Sequence, residues 1–298
     1  MKGILLTNLS ASNIAKDVVV KVGDSTDDDC VTSVTGTYEG SGGGGGGLKK
    51  LIEQYTTITS FSNSEISIIG SYAFNNCTNL TTVSFPSCTS IGNFAFQYCS
   101  SLTTVSFPLC KSIGGYAFNG CSSLITASFP SCTSIGTYAF NNCINLTTAS
   151  FPSCKSIASY AFRYCSSLTT VSFPSCTSIS NYAFQLCTRL TTASFPSCTR
   201  IGSSAFGNCI SLTTASFPSC TSIGSYAFQQ CFLLLSLYLT GSSVVSLVNS
   251  NAFASTPIAG YTTSTGGVYG SIFVPSSLYS TYKASTNWTF FSSRFVSV

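Results

Sequence analysis

A 22-residue period dominates the chain and constrains its fold more than any other feature. Seven successive units begin at leucines that lie one period apart: Leu80, Leu102, Leu124, Leu146, Leu168, Leu190 and Leu212. Each is close to L-T-T-V/A-S-F-P-S-C-T-S-I-G-x-Y-A-F-x-x-C-x-x, and together they span residues 80–233. Diverged units precede and follow them, which gives about nine in all. Because one unit cannot bury its own apolar face, the units must stack into a solenoid.

Alternation of apolar and polar residues predicts a short strand at the start of each unit. In the first regular unit the residues expected to face inward are Leu80, Val83 and Phe85. Pro86 lacks an N–H donor and ends the strand. A second extended piece follows at Ile91, and residues 94–99 predict a single helical or 3₁₀ turn. At ~4.8 Å per coil, nine coils form a rod of roughly 43 Å.

The unit resembles the BspA-like leucine-rich repeats, whose pattern is similar to L-x-x-I-x-L-P-x-x-x-T-x-I-G-x-x-A-F-x-x-C-x-x. The matching residues of the first regular unit are Leu80, Val83, Phe85, Pro86, Ile91, Gly92, Ala95, Phe96 and Cys99. The resemblance covers about residues 55–256, with units one residue shorter than usual and Cys88 added before Ile91. It implies an α/β, β-rich leucine-rich-repeat solenoid that serves in cell-surface adhesion, binds protein or glycan, and has no catalytic role.

The flanks of the repeat predict three further segments. Residues 1–41 are expected to form a small β N-terminal attachment module, with strands near 18–23 and 31–40. The six glycines of 42–47 predict a flexible linker, and the solenoid is assigned to 48–260. Residues 261–298 are expected to form a strand-helix C-terminal cap, in which 272–274 form the last strand, Pro275 begins a helix and Trp288 covers the final coil.

The N-terminal segment also indicates where the protein is located. Residues 34–40, V-T-G-T-Y-E-G, followed by Ser and Gly, are similar to a short module of tail-fibre and other structural proteins of phages. A virion part leaves its host by lysis, which agrees with the lack of a recognisable signal peptide. The alternative is a bacterial surface protein with an unrecognised export signal. We therefore expect a virion surface or a bacterial cell surface, with other virion proteins as contacts of the N-terminal module.

Composition excludes most catalytic chemistry. The chain has no histidine, and all eight Asp and Glu residues precede residue 66. Paired carboxylates, Ser-His-Asp triads and carboxylate-bound Ca²⁺ or Mg²⁺ therefore cannot form in the remainder. We expect no enzyme activity, cofactor or metal. The net charge of +4 shows no basic cluster suited to nucleic acid, and the longest apolar stretch, 232–239, is too short for membrane insertion.

The sixteen cysteines suggest a disulfide or metal site, but their spacing favours another interpretation. Fifteen of them recur at a constant spacing of half a period from Cys77 to Cys231, and Cys30 lies outside this array. Zinc sites use close pairs that converge, and stacked identical side chains point the same way. A ladder of buried, reduced thiols is therefore favoured over disulfides and over metal binding.

Two faces of the solenoid could bind a ligand. The strand face has uniform Thr and Ser ladders, which suit a repetitive polysaccharide or no ligand, and which resemble the Thr-x-Thr arrays of ice-binding solenoids. The face that follows Ala-Phe varies between units and lies beside an aromatic row that is broken at Ser204. Tyr and amide side chains suit sugar or protein contacts, although ridge packing between coils also explains the row. The candidate ligand-binding residues are Tyr98, Tyr116, Tyr138, Arg163, Tyr164 and Gln185.

These features together predict a non-enzymatic adhesion or recognition protein. The first hypothesis is a BspA-like solenoid displayed on a phage virion or prophage structural protein, where it binds a host-surface protein or glycan. A bacterial cell-surface adhesin of BspA type is the second. An ice-binding solenoid or a purely structural spacer is the third.

Overall fold

The computed structural model describes residues 59–64 and 66–298, together with three short strands near the N-terminus. These strands, β1 (Ile4–Leu6), β2 (Val18–Lys21) and β3 (Ser33–Thr35), form an antiparallel sheet in the order β1-β2-β3. β2 and β3 lie where the sequence predicts strands, and β1 is an addition. The glycine run at 42–47 and Cys30 lie outside the described residues, and the division of the chain into segments stays a prediction.

Two ladders of parallel strands build the solenoid. The first ladder has one three-residue strand per coil: β4 (Ser60–Ser62), β6 (Thr82–Ser84), β8 (Thr104–Ser106), β10 (Thr126–Ser128), β12 (Thr148–Ser150), β14 (Thr170–Ser172), β16 (Thr192–Ser194), β18 (Thr214–Ser216) and β20 (Ser236–Tyr238). The second has two-residue strands: β5 (Ile68–Ile69), β7 (Ser90–Ile91), β9 (Ser112–Ile113), β11 (Ser134–Ile135), β13 (Ser156–Ile157), β15 (Ser178–Ile179), β17 (Arg200–Ile201), β19 (Ser222–Ile223) and β21 (Ser246–Leu247). Equivalent residues of successive regular coils pair in register, which confirms the predicted solenoid.

The two ladders differ in continuity. The two-residue strands form one nine-stranded sheet, whereas the three-residue strands are divided into separate sheets between β8 and β10 and between β14 and β16. Both interruptions occur where a valine, Val105 or Val171, is followed one coil later by an alanine. Both valines are only partly buried. The short strands therefore hold the coils in register where the long strands do not pair.

Two columns of stacked phenylalanines fill the core. One column contains the Phe of each Phe-Pro pair, with ring centroids 5.2–5.8 Å apart from Phe61 to Phe217. The other contains the Phe of each Ala-Phe pair, spaced at 5.0–5.6 Å from Phe74 to Phe253. Rings of the two columns meet at steep angles, as aromatic pairs prefer. Each coil thus contacts its neighbour through the same pair of rings.

A glycine follows most of the two-residue strands and allows the coils to approach closely. A Cβ added at Gly136 would lie 2.5 Å from the carbonyl carbon of Gly114 and from the nitrogen of Gly115. The Gly136 N–H donates to the previous coil at 2.8 Å. Three coils have a larger residue at this position, and their equivalent hydrogen bonds are 3.2 Å long at Ala158 and 3.0 Å long at Ser180 and Val248. A Cβ at this position therefore pushes neighbouring coils apart.

Residues 94–99 and their equivalents in the other coils form two consecutive turns. The prediction of a single helical or 3₁₀ turn in this segment is therefore wrong. Gln97 N–H donates to Phe94 O and Cys99 N–H donates to Phe96 O, both at 3.2 Å. The N–H groups of Phe94, Phe96 and Tyr98 instead donate to carbonyls of the next coil, at 2.7–2.9 Å. Alternate donors therefore leave the coil, whereas a helix directs its N–H groups along its own axis.

The C-terminal region has the predicted strand-helix cap, with one additional strand. Strand β22 (Ser271–Val274) precedes helix α1 (Tyr279–Ala284), and β23 (Phe295–Ser297) then pairs with β22 in parallel. Residues 272–274 are therefore not in the last strand, and the nine long strands of the coils are followed by two strands of the cap instead of the predicted one. Short 3₁₀ turns occur at Ser250–Phe253, Thr263–Thr265, Ser276–Leu278 and Thr289–Phe291. Pro275 directly precedes a 3₁₀ turn and only then the helix.

Trp288 covers the end of the core, as the sequence predicts. Its side chain is fully buried, and its indole N–H donates to Val245 O at 2.7 Å. Its ring lies 5.9 Å from Phe253, the last ring of its column. Tyr282 of α1 is also buried and accepts a hydrogen bond from Val245 N–H at 3.1 Å. Across residues 59–64 and 66–298, no helix has the length and hydropathy needed to cross a bilayer.

Candidate binding surface

A continuous stack of aromatic rings runs along the face beside the Ala-Phe turns. Neighbouring ring centroids are 4.4–4.9 Å apart, and the ring planes lie within 16° of each other. The members of this aromatic stack are Tyr72, Phe94, Tyr116, Tyr138, Tyr160 and Tyr182. Ridge packing between coils therefore explains the aromatic row, and the stack also presents ring edges and hydroxyl groups at the surface.

The backbone of every stack residue has a left-handed conformation. Their φ angles lie between 58° and 62°. This region costs roughly 1–2 kcal/mol for a residue with a Cβ. Each stacked pair of rings contributes about 0.5–1.5 kcal/mol beyond the burial of its area, so the two neighbours of an inner ring offset the backbone cost. The shared φ also points every Cβ of the row in the same direction.

Each regular coil has a second residue with a left-handed backbone, which lies three residues after the Ala of the Ala-Phe pair and directly before the next Cys. Asn occupies this position in several coils, as in Asn76, Asn142 and Asn208, and Gly120 occupies it in another. Larger residues at this position are Tyr98, Tyr164, Leu186 and Gln230. Since Asn and Gly tolerate positive φ best, these larger residues are the costly choices, and two of them are candidate ligand-binding residues.

Arg163, Tyr164 and Gln185, which we call the Arg163 cluster, lie together in two adjacent coils. Arg163 Nε donates to Gln185 Oε1 at 2.8 Å, and a terminal guanidinium nitrogen donates to the Tyr164 hydroxyl at 3.3 Å. The guanidinium carbon lies 4.5 Å from the centroid of the Tyr164 ring and 5.6 Å from that of Tyr160. The cluster thus joins the aromatic stack through Tyr160, a residue that belongs to the predicted row but was not among the candidate ligand-binding residues.

Tyr98 lies apart from the Arg163 cluster. Its ring packs closely against Gly120 of the next coil. A Cβ added at Gly120 would lie only 2.6 Å from Tyr98 Cδ1. Nearly half of the side chain, 49%, is exposed. Three coils separate Tyr98 from Tyr164, which corresponds to about 14 Å. The structure therefore brings Arg163, Tyr164 and Gln185 together and places Tyr116 and Tyr138 in the adjoining stack. Tyr98 lies apart from both groups. Ligand binding by these residues stays a prediction.

Positive charge predominates on the solenoid. Residues 66–298 contain seven Lys and Arg residues and no Asp or Glu. Desolvation raises the pKa of the Tyr160 phenol, the neighbouring phenols of Tyr138 and Tyr182 add to this rise, and the Arg163 guanidinium opposes it. The Tyr160 phenol therefore stays neutral at physiological pH and can donate as well as accept hydrogen bonds.

The strand face is uniform over the regular coils and changes at the C-terminal end. The Thr and Ser ladders lie outward and pair in register from coil to coil. Tyr238 and Phe273 replace the outward serines in β20 and β22, and their rings stack at 4.4 Å. The uniform part of this face has no cluster comparable to that around Arg163, which leaves the face after Ala-Phe as the better candidate surface.

The cysteines form two ladders inside the coils. In one ladder each thiol donates to the carbonyl of a Phe in the preceding coil, for example Cys143 to Phe118 at 3.2 Å. In the other it donates to a carbonyl two positions ahead, for example Cys154 to Ser156 at 3.2 Å. Fourteen cysteines, Cys88 to Cys231, are buried and free, which supports the ladder of reduced thiols. Cys77 is disulfide-bonded, so its assignment to the reduced ladder is wrong.

Burial keeps these thiols protonated. Desolvation raises the pKa from 9.0 to about 12 at Cys99 and Cys209 and to about 11 at Cys154, and hydrogen bonds from the thiols to backbone carbonyls run along both ladders. Thiolates are the nucleophiles and the metal ligands, so the ladders offer neither chemistry at neutral pH. Among residues 59–64 and 66–298, no three potential His, Cys, Asp or Glu ligands are grouped as a metal would require.

Comparisons with known proteins identify the repeat. Residues 53–169 and 155–268 of the chain match the family described as "BspA type leucine rich repeat region", in six copies. A leucine-rich-repeat protein of Treponema pallidum is 29% identical over 52% of this chain and 78% of its own, with a TM-score of 0.47. A leucine-rich cell surface protein of Faecalibacterium prausnitzii is 24% identical over 74% of both chains, with a TM-score of 0.38. No functionally curated protein matches the sequence.

Proposed function

Because the chain belongs to the family of BspA-type leucine-rich-repeat proteins, we propose that it is a non-enzymatic recognition protein. Its solenoid is displayed on a virion surface, as part of a phage or prophage structural protein, and binds a protein or glycan of the host surface. The N-terminal β module contacts other virion proteins. The observation that supports the proposal is the Arg163 cluster, which provides specific contact chemistry on a scaffold that has no carboxylate or imidazole side chain after residue 65.

The Arg163 cluster has the properties of an interface hot spot. Arg and Tyr contribute more contact energy per residue than Ser or Thr, which dominate the rest of the surface. Hydrogen bonding to Gln185 and stacking on Tyr164 fix the guanidinium before any ligand arrives, so less conformational entropy is lost on binding. The cluster also lies on the face where coils differ, and only a varied face can distinguish one ligand from another.

Replacement of the cluster by residues that other coils already contain tests the proposal. The double variant Arg163→Asn with Tyr164→Asn reproduces the Asn141-Asn142 pair of the preceding coil, and Asn suits the left-handed position of Tyr164. We expect the fold to be retained and binding to host cells to weaken about tenfold, which corresponds to roughly 1.4 kcal/mol. Binding is measured with the fluorescently labelled full chain.

Two controls decide where recognition occurs. Arg200→Asn removes the same charge from an exposed residue of β17 and should leave binding unchanged. Thr→Lys substitutions at Thr126, Thr148 and Thr170 place charges along the strand face. Loss of binding in the lysine variant, with normal binding in the asparagine variant, would assign recognition to the strand face and contradict the proposal.

A bacterial cell-surface adhesin is the second candidate, favoured by the family itself. The gene neighbourhood separates the two candidates, because phage tail genes beside this gene support display on a virion and their absence supports the adhesin. Ice binding by the Thr-x-Ser ladders is tested by thermal hysteresis of the purified chain, which should be absent.

A further inference from the structure

The aromatic stack is interrupted at one coil, where Ser204 replaces the aromatic residue. The backbone there is the same as in the other coils: φ of Ser204 is 52°, and its N–H donates to Ser225 O at 2.9 Å. Tyr182, one coil earlier, donates to Ser203 O at the same distance. The Cβ of Ser204 therefore points along the row as the tyrosines do, and only the ring is missing.

The missing ring leaves a gap between Tyr182 and Tyr226, which we call the 204 gap. Adjacent rings of the stack are 4.4–4.9 Å apart, so two steps leave about 9–10 Å between these tyrosines. The same coil has Gly207 where other regular coils have Asn, Gln or Arg, so no side chain of this coil projects beside the gap. Ser204 is 8% exposed and forms the floor, and Tyr226 is 40% exposed.

Both walls of the 204 gap are held in place from behind. Tyr182 stacks on Tyr160 at 4.8 Å with 7° between the ring planes. The Tyr226 hydroxyl accepts a hydrogen bond from Asn251 Nδ2 at 3.3 Å. Asn251 belongs to a diverged coil, and the repeat pattern gives no signal for this contact. Walls that are already ordered lose little entropy when a ring enters between them.

From this geometry we propose that the 204 gap binds one pyranose ring of an uncharged glycan. The width matches one ring placed between two aromatic faces, and those faces pack against C–H groups of the sugar. Ser203 and Gln229, from the coil of the gap and the next coil, supply a hydroxyl and an amide that suit the equatorial hydroxyls of a sugar. An aromatic side chain would leave these polar groups without a ligand partner, which favours the sugar.

The charge around the 204 gap agrees with a neutral ligand. The turn segments of its three coils, residues 181–187, 203–209 and 225–231, contain no Lys, Arg, Asp or Glu. The inference rests on the proposed recognition role of this face, but it uses residues other than Arg163 and Tyr164, so the two can fail separately.

Filling the gap is the direct test. Ser204→Tyr should complete the stack without changing the backbone, because tyrosine already has this φ in neighbouring coils. The probes are methyl glycosides of β-D-glucose, β-D-galactose and N-acetyl-β-D-glucosamine, with p-cresol as a flat aromatic comparator, titrated by NMR into the full chain. We expect at least one glycoside to bind the natural chain with a Kd on the order of millimolar, and Ser204→Tyr to weaken it at least tenfold. Ser204→Gly, which leaves the gap open, should bind normally.

A second variant creates the site elsewhere. Tyr138→Ser with Asn141→Gly reproduces Ser204 and Gly207 in another coil, and Arg163→Gln supplies the amide that Gln229 provides at the natural gap; this triple variant should add a second binding site for the same glycoside. Tyr182→Ser removes a wall and should abolish binding even if Ser204→Tyr does not fold. The proposal is overturned if no glycoside binds, if only p-cresol binds, or if glycosides bind Ser204→Tyr as well as the natural chain.

Host-cell binding separates this inference from the proposed function. Loss of glycoside binding in Ser204→Tyr, with unchanged cell binding, supports the 204 gap and places recognition of the host elsewhere. Absence of glycoside binding, with cell binding lost in the Arg163 and Tyr164 variant, overturns the 204 gap and leaves the proposed function intact.

Discussion

Gly136→Ala tests whether close packing between coils limits the stability of the solenoid. The conformational entropy of the unfolded chain alone predicts that this change stabilises the protein by about 0.4–1 kcal/mol, because alanine has fewer accessible backbone conformations than glycine. The structure predicts the opposite sign, because the new Cβ would lie 2.5 Å from two backbone atoms of the preceding coil. Neither atom can rotate away, so the coils must separate.

The coil at Ala158 shows how much separation a Cβ requires. Its hydrogen bond to the preceding coil is 3.2 Å long, whereas the equivalent bond at Gly136 is 2.8 Å long. Overpacking of this kind costs about 1–3 kcal/mol. After subtraction of the entropy gain, we expect Gly136→Ala to destabilise the chain by about 1–2 kcal/mol, which lowers Tm by roughly 2–8 °C.

Thermal unfolding of the full chain, followed by circular dichroism, measures the effect. Gly115→Ala is the matched control, because its Cβ would meet only Thr137 O at 3.3 Å and Asn93 Oδ1 at 3.7 Å. We expect this control to stay within about 0.5 kcal/mol of the natural chain. A Gly136→Ala chain that is as stable as the Gly115→Ala chain would refute the argument from coil spacing.

Three further predictions concern the thiols, the turns and the cap. The free energy of unfolding should fall as pH rises above about 9, because the thiols of the unfolded chain ionise there. Burial holds the pKa of the folded thiols near 12 at Cys99 and near 11 at Cys154. A urea midpoint that is constant from about pH 7 to 10 would contradict this prediction. Gln230→Asn should stabilise by about 0.5 kcal/mol, because Gln230 has a φ of 58°, whereas Gln229→Asn should show no gain in the same urea titration. Trp288→Phe should destabilise by about 2–4 kcal/mol, because it creates a void and leaves Val245 O without its indole donor; an unchanged Tm would contradict it.

The sequence predicts the parts of the fold that depend on period and burial. Leu80, Val83 and Phe85 are buried as expected, because a repeated apolar residue in a solenoid can only face the shared core. The turns before Cys99 could not be predicted, because their two left-handed residues, Phe94 and Tyr98, are aromatic instead of the usual Gly or Asn. Strand β23 was missed because its sequence has no repeat signature, although its residues lie about one repeat length after their partners in β22.

The candidate surface was predicted in composition but not in arrangement. The break at Ser204 is visible in the sequence, yet its geometry depends on the spacing of Tyr182 and Tyr226, which only the stacked coils define. The hydrogen bond between Arg163 and Gln185 likewise joins residues of adjacent coils, and it requires the register of those coils. Contacts within one unit can be inferred from its pattern, whereas contacts between units depend on how each side chain orients.

The repeated phenylalanine contacts make each coil an exchangeable unit of length. Deletion of residues 124–145 would join Ser123 to Leu146, and the new neighbours would meet through the same pair of ring contacts as the old ones. Such an excision shortens the rod by about 4.8 Å and creates no mismatched interface. Recombination between the nearly identical segments of the gene can therefore adjust the reach of the protein while the surface chemistry of the remaining coils stays as it is.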